Sequence, residues 1–169
     1  MPDRVDGTYV TQSENSSQPE GTGAQSDPPL GWFIYTVKQL ELGLRSPLET
    51  VTQQAGLSTG QFTALSVLSR WPGITSSELA RRSFVRAQTM AETITPLLES
   101  GHVSRAQDKD HGRRFLLYIT EAGTEALASI RTPLQLLESE LLAELSPSER
   151  QLFAHFLRRC RGTLPDLPR

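Results

Sequence analysis

Arg86, Gln88 and Thr89 fall close together in the chain, and Lys109, His111, Arg113 and Arg114 form a second close group. Both groups are rich in hydrogen-bond donors that suit phosphate oxygens and base edges. A guanidinium matches a guanine edge, a carboxamide matches adenine, and Lys or protonated His neutralises phosphate. Catalytic readings are poorer. The three histidines, His102, His111 and His155, are widely separated, with no paired helical spacing and no Ser or Cys nucleophile motif beside them. His111 reads as a phosphate contact or as a solvated side chain. Cys160 is the one cysteine, so neither an internal disulfide nor a zinc cage can form. Its position on an apolar helix face suits ordinary packing, with an oxidant-sensing thiol as the alternative. The expectation is a protein that is not an enzyme and uses no cofactor or metal. With no run of about eighteen apolar residues and no leader of basic then apolar residues, neither a membrane nor secretion is indicated, and a cytoplasmic location is expected.

The net charge of −2 does not suggest a polyanion partner, but its distribution does. Residues 58–120 carry eight basic against five acidic side chains, whereas residues 1–29 carry one against five. A basic middle in an acidic envelope leaves room for a phosphate-binding face while holding down non-specific adhesion.

The elements that would position these groups are marked by helix caps. Residues 1–26 are polar and without period and read as a disordered acidic tail. Residues 27–57 read as dimerisation helices, opening at Asp27-Pro28, with Ser46-Pro47 as a break or kink. Residues 58–120 read as the head. Ser58 with Gln61 and Thr75 with Glu78 form capping boxes, and a helix stop falls at Trp71-Pro72-Gly73. A break at residues 83–86 precedes a helix with Met90, Ile94, Leu97 and Leu98 on one face, and Gly101 closes it. Strand-like runs at 102–105 and 115–119 flank a polar tip, which is a hairpin. In residues 121–169, Thr120 caps a long helix that Pro133 should bend, and Ser146-Pro147 opens the last one. The apolar stripes of the terminal helices exceed what a small head can cover, which suggests a second copy of the chain. Helix, tight turn, helix and a basic hairpin make a winged helix-turn-helix. The fold class is mainly α (α+β), with dimerisation helices at both ends. A winged helix serving only protein contacts is the competing reading, against which Arg86, Gln88 and Thr89 speak.

Six segments in order, Gln61–Leu65, Pro72–Ala80, Gln88–Met90, Leu98–Val103, Asp108–Arg113 and Ile119–Gly123, resemble the MarR (multiple-antibiotic-resistance-regulator) family over residues 30–162. That resemblance implies a triangular homodimer on a pseudo-palindromic operator in double-stranded DNA. A recognition helix enters each major groove, and a wing enters each minor groove. Arg86, Ala87 and Gln88 would lie at the groove, Arg86 and Gln88 reading bases or phosphates, with Thr89, Ser76 and Ser77 anchoring the backbone. Lys109, His111, Arg113 and Arg114 would lie on the wing, Arg113 matching the family's minor-groove arginine, with Asp108 placed to pair with it. Relatives usually carry Ser or Thr where Arg86 stands, and often Pro where Ala87 stands. Arginine cannot cap, and a lost cap costs roughly 1 kcal/mol, so Arg86 is expected to serve a phosphate or guanine. Pro96 should kink the same helix at about 3 kcal/mol unless compensated. Many relatives release DNA on binding a small aromatic or phenolic effector. The matching region here is Trp32, Tyr35, Lys38 and Gln39 with Phe62 and Ser66, Lys38 or Arg45 serving a carboxylate or thioester ligand.

Overall fold

The computed structural model describes residues 28–164, so the tail at 1–26 and the Asp27 cap lie outside the described residues. Helix α1 (Trp32–Gln53) starts instead at Gly31, whose φ of 80° ends the preceding turn. It is one helix: Ser46 caps nothing, and Pro47 sits inside it. The proline is tolerated because both it and Gly43, whose carbonyl it leaves unbonded, face solvent.

The head packs three helices against a small sheet. Helix α2 (Thr59–Arg70) begins with the complete Ser58–Gln61 capping box and ends at Trp71. Helix α3 (Ser76–Arg82) is capped by Thr75, whose hydroxyl accepts from the Glu78 N–H. The reciprocal half of that expected box is missing, because the Glu78 carboxylate turns to Arg81 and Arg82. Charge pairing within the helix wins over a bond to one backbone N–H. Helix α4 (Ala87–Glu99) runs through Pro96 to Gly101 at φ 76°. Pro96 and Glu92 are both exposed, so water can satisfy the freed carbonyl and the helix is not interrupted.

Strands β1 (Val103–Gln107) and β2 (Phe115–Ile119) pair antiparallel, Val103 opposite Ile119 and Gln107 opposite Phe115. The first strand starts and ends later than the run at 102–105 suggested. A bridge from Ile74 to Leu117 ties the α2–α3 connection to this hairpin. Gly73 there needs its φ of 76°, and a Cβ would press on the Tyr118 ring at 3.2 Å. Leu65, Leu68 and Leu79 are fully buried with Met90, Ile94, Leu97, Val103 and Leu117. Each such side chain contributes about 1.5–3 kcal/mol by leaving water, which fixes the relative placement of α3, α4 and the hairpin.

The expected long helix is two, α5 (Glu121–Ser129) and α6 (Arg131–Leu141), parted at Ile130. The cause is Pro133, which has no N–H for the Ser129 carbonyl and crowds it; the break thus falls one turn before the proline. Helix α7 (Pro147–Thr163) starts with the full Ser146–Glu149 box. Neither α6 nor α7 contains a buried residue.

Candidate nucleic-acid interface

Met90 points into the core while Arg86, Ala87, Gln88 and Thr89 are all exposed at the amino end of α4. Arg86 occupies the cap position with extended backbone and makes no cap bond, as expected for an arginine. Its guanidinium makes no ion pair among the described residues. Gln88 is held by Glu92 at 3.1 Å, and the Thr89 carbonyl accepts from Thr93. The same outward face continues through Ala91, Glu92 and Thr95. Sequence reasoning stopped at the amino end of the helix; spacings of three, four and seven from Gln88 mark the rest. Ser76, partly buried, and Ser77, exposed, form the first turn of α3.

The hairpin closes through Asp108 N–H to the Arg114 carbonyl at 2.9 Å and Arg114 N–H to the His111 carbonyl at 2.7 Å. Lys109, His111, Arg113 and Arg114 are all exposed around it. The anticipated Asp108–Arg113 pair is not formed. One Asp108 oxygen accepts from the Asp110 N–H at 3.0 Å, and the other lies 4.0 Å from His111 Nδ1. The short tip favours the local backbone bond, and Arg113 makes no ion pair among the described residues.

The residues expected at an effector site fall into two sets. On α1, the Trp32 and Tyr35 rings lie 5.8 Å apart, and Gln39 donates to the Tyr35 hydroxyl at 2.8 Å. Phe62 and Ser66 are partly buried on α2. No hydrogen bond or ring contact among the described residues joins the two sets. Lys38 and Arg45 both pair with Glu41 at 2.7 Å. Lys38 first, then Arg45, holds the Glu41 carboxyl below its ordinary pKa. The two cations share this one carboxylate, so the cluster keeps a net positive charge.

A cleft of about 420 Å³ lies elsewhere, between α3 and the end of α7, with Arg81, Arg82, Arg158 and Arg161 beside Trp71 and Phe84. No sequence signal marks it, because its two halves are some eighty residues apart. Cys160 is exposed in the single chain, so the packing expected of it is not supplied by its own fold.

Two helices around a tight turn, the second with a polar outward face, and a hairpin with basic residues at its tip define a winged helix-turn-helix protein. The MarR family's sequence profile matches residues 55–114. An HTH-type transcriptional regulator of Mycobacterium bovis, Mb0904, is 33% identical over 112 residues, covering 66% of this chain and 74% of its own. The HTH-type transcriptional repressor Rv2887 of Mycobacterium tuberculosis is 28% identical over 137 residues, covering 81% and 96%. Its crystal structure with salicylic acid superposes with a TM-score of 0.61 at 27% identity, covering 80% and 98%. The repressor CouR bound to a DNA duplex superposes at 0.68 with 21% identity, covering 79% and 92%, a likeness of fold. The chain belongs to the MarR family.

Proposed function

We propose that this protein is a sequence-specific DNA-binding transcriptional repressor that acts as a homodimer and is released by a small aromatic ligand. The observation that carries the reading is the placement of Arg86, Arg113 and Arg114. All three are exposed, none makes an ion pair among the described residues, and they stand at the start of α4 and on the hairpin, where a groove reader needs cations. CouR on its duplex and Rv2887 with salicylic acid support the DNA and ligand halves of the reading respectively. Among the described residues no helix is long and apolar enough to cross a membrane; the regulator reading places the protein in the cytoplasm and assigns it no catalysis.

Exposed Phe33, Ile34, Val37, Leu136, Leu152 and Phe156 on the terminal helices supply the faces for a second copy. Two heads then read an inverted repeat with half-sites about one helical turn, roughly 34 Å, apart. Trp32, Tyr35, Lys38 and Gln39 with Phe62 and Ser66 are the first candidate wall for the effector. Selection of genomic fragments from the source organism, followed by gel shift at physiological salt, tests the DNA reading. An inverted repeat near the protein's own gene is expected, and no preference over random competitor would sink it, leaving the protein-interaction reading. The exposure of Cys160 keeps one second reading open to test. Release by peroxide that is lost in Cys160→Ser would replace the ligand by an oxidant.

A further inference from the structure

We infer that the cleft between α3 and the carboxy-terminal end of α7 binds a small aromatic carboxylate, separately from the α1–α2 wall. Its composition sets it apart from the rest of the surface. Four guanidinium groups line it against the one carboxylate of Glu78. Glu78 engages Arg81 and Arg82 of its own helix, while Arg158 makes no ion pair among the described residues. Arg161 spends one N–H on the Arg82 carbonyl at 3.2 Å, which leaves other donors of the fork unused. The walls are aromatic. Arg82 and Arg70 lie 4.6 and 5.2 Å from the Trp71 ring centre, and Arg161 lies 5.5 Å from that of Phe84. These guanidinium planes lie over the rings, and a guanidinium is itself a flat surface on which an aromatic ligand can stack. A ligand with an aromatic ring and a carboxylate meets both demands, since arginine pairs with a carboxylate through two parallel bonds.

The position carries the consequence. Phe84 has a φ of 54°, a rare backbone state for a bulky side chain, in the turn that sets α4 against α3. The ring touches Arg161 of α7. An anion held between Arg82 of α3 and Arg158 and Arg161 of α7 acts at once on the terminal helix and, through Phe84 beside Arg161, on the turn before the recognition helix. Ligand bound there favours one arrangement of head and dimer helices over another. This consequence rests on the release reading above; the binding site itself does not.

The test uses the full chain with benzoate, its neutral isostere benzamide and the non-aromatic cyclohexanecarboxylate, followed by calorimetry and by the indole N–H resonances of Trp71 and Trp32. Saturable benzoate binding that shifts Trp71 and leaves Trp32 unmoved is expected, with both other probes weaker. The Arg158→Gln/Arg161→Gln double variant should weaken benzoate by about tenfold or more, the loss of charge-assisted pairing. Arg158→Gln alone removes no intramolecular ion pair and should still weaken it severalfold, with the thermal midpoint unchanged. The site is overturned by absent saturation at millimolar benzoate, by equal affinity in the double variant, or by a response at Trp32 that Tyr35→Ala removes. It is also overturned if the double variant loses operator affinity without ligand, which makes the cleft a DNA contact. Arginine-dependent binding that leaves the operator complex intact upholds the site and sinks only the release reading.

Discussion

In the proposed function, Arg86 exchanges a local role for an intermolecular one. It sits where Ser or Thr would satisfy a backbone N–H of α4, and that donor receives no side-chain cap. Arg86→Ser should therefore raise stability by roughly 1 kcal/mol in urea unfolding while lowering operator affinity in a gel shift. A gain in both would reject the exchange. Arg113 is freer than anticipated, because Asp108 is committed to the Asp110 N–H. Arg113→Ala should cost about 1–3 kcal/mol of operator binding without moving the thermal midpoint, and unchanged affinity at physiological salt would remove it from the interface. Gly123 serves the fold alone. A Cβ there would lie 2.3 Å from the His102 carbonyl oxygen, the acceptor for the Thr120 N–H. Gly123→Ala is expected to destabilise by about 1–3 kcal/mol, the usual range for forcing added volume into a packed site.

At the scale of elements, helix ends decide both geometry and pH response. Glu78 is hydrogen-bonded by Arg81 and lies beside Arg82, and these cations, Arg81 first, hold its carboxyl below the ordinary 4.5. Above that ordinary value the carboxylate is ionised folded and unfolded alike, and its contribution is fully present. As pH falls through the depressed folded-state pKa, the contribution is lost. Glu78→Gln should flatten the acid limb of a plot of thermal midpoint against pH. An identical limb in the variant would show that the α3 pairing contributes nothing, as exposed pairs often do. The α5–α6 break has a sharper origin in Pro133. Pro133→Ala restores a donor for Ser129 and should join α5 to α6 through Ile130, read as added amide-exchange protection at residues 130–134; unchanged protection would place the cause in the packing of fully buried Ile130.

For the whole molecule, much of the exposed apolar surface lies on the terminal helices. The head has a closed core, while Phe33 is 72% and Phe156 51% exposed on helices with few or no buried residues. Sedimentation should find a dimer at micromolar concentration. Phe33→Glu/Phe156→Glu should convert it to a monomer whose head keeps its cooperative unfolding but whose operator binding falls steeply, because two half-sites are no longer held together. A variant that stays dimeric would place the interface elsewhere.

The head was legible in the sequence because its determinants are local. Ser58 with Gln61, the Trp71-Pro72-Gly73 stop and the left-handed Gly101 each act through neighbours within four residues, as does Ser146 with Glu149 at the start of α7. The apolar period of α4 likewise separates Met90 from Arg86 and Gln88 without reference to the rest of the fold. What tertiary structure alone decided depends on competition or on distant chain. Glu78 chose arginines over its cap, Asp108 chose a backbone N–H over Arg113, and Pro47 and Pro96 were absorbed because their faces meet water. The arginine cleft belongs wholly to this second kind. Arg82 and Arg161 are neighbours only because α7 returns to the end of α3, and nothing in either segment's own pattern encodes a contact between charged groups that far apart in the chain.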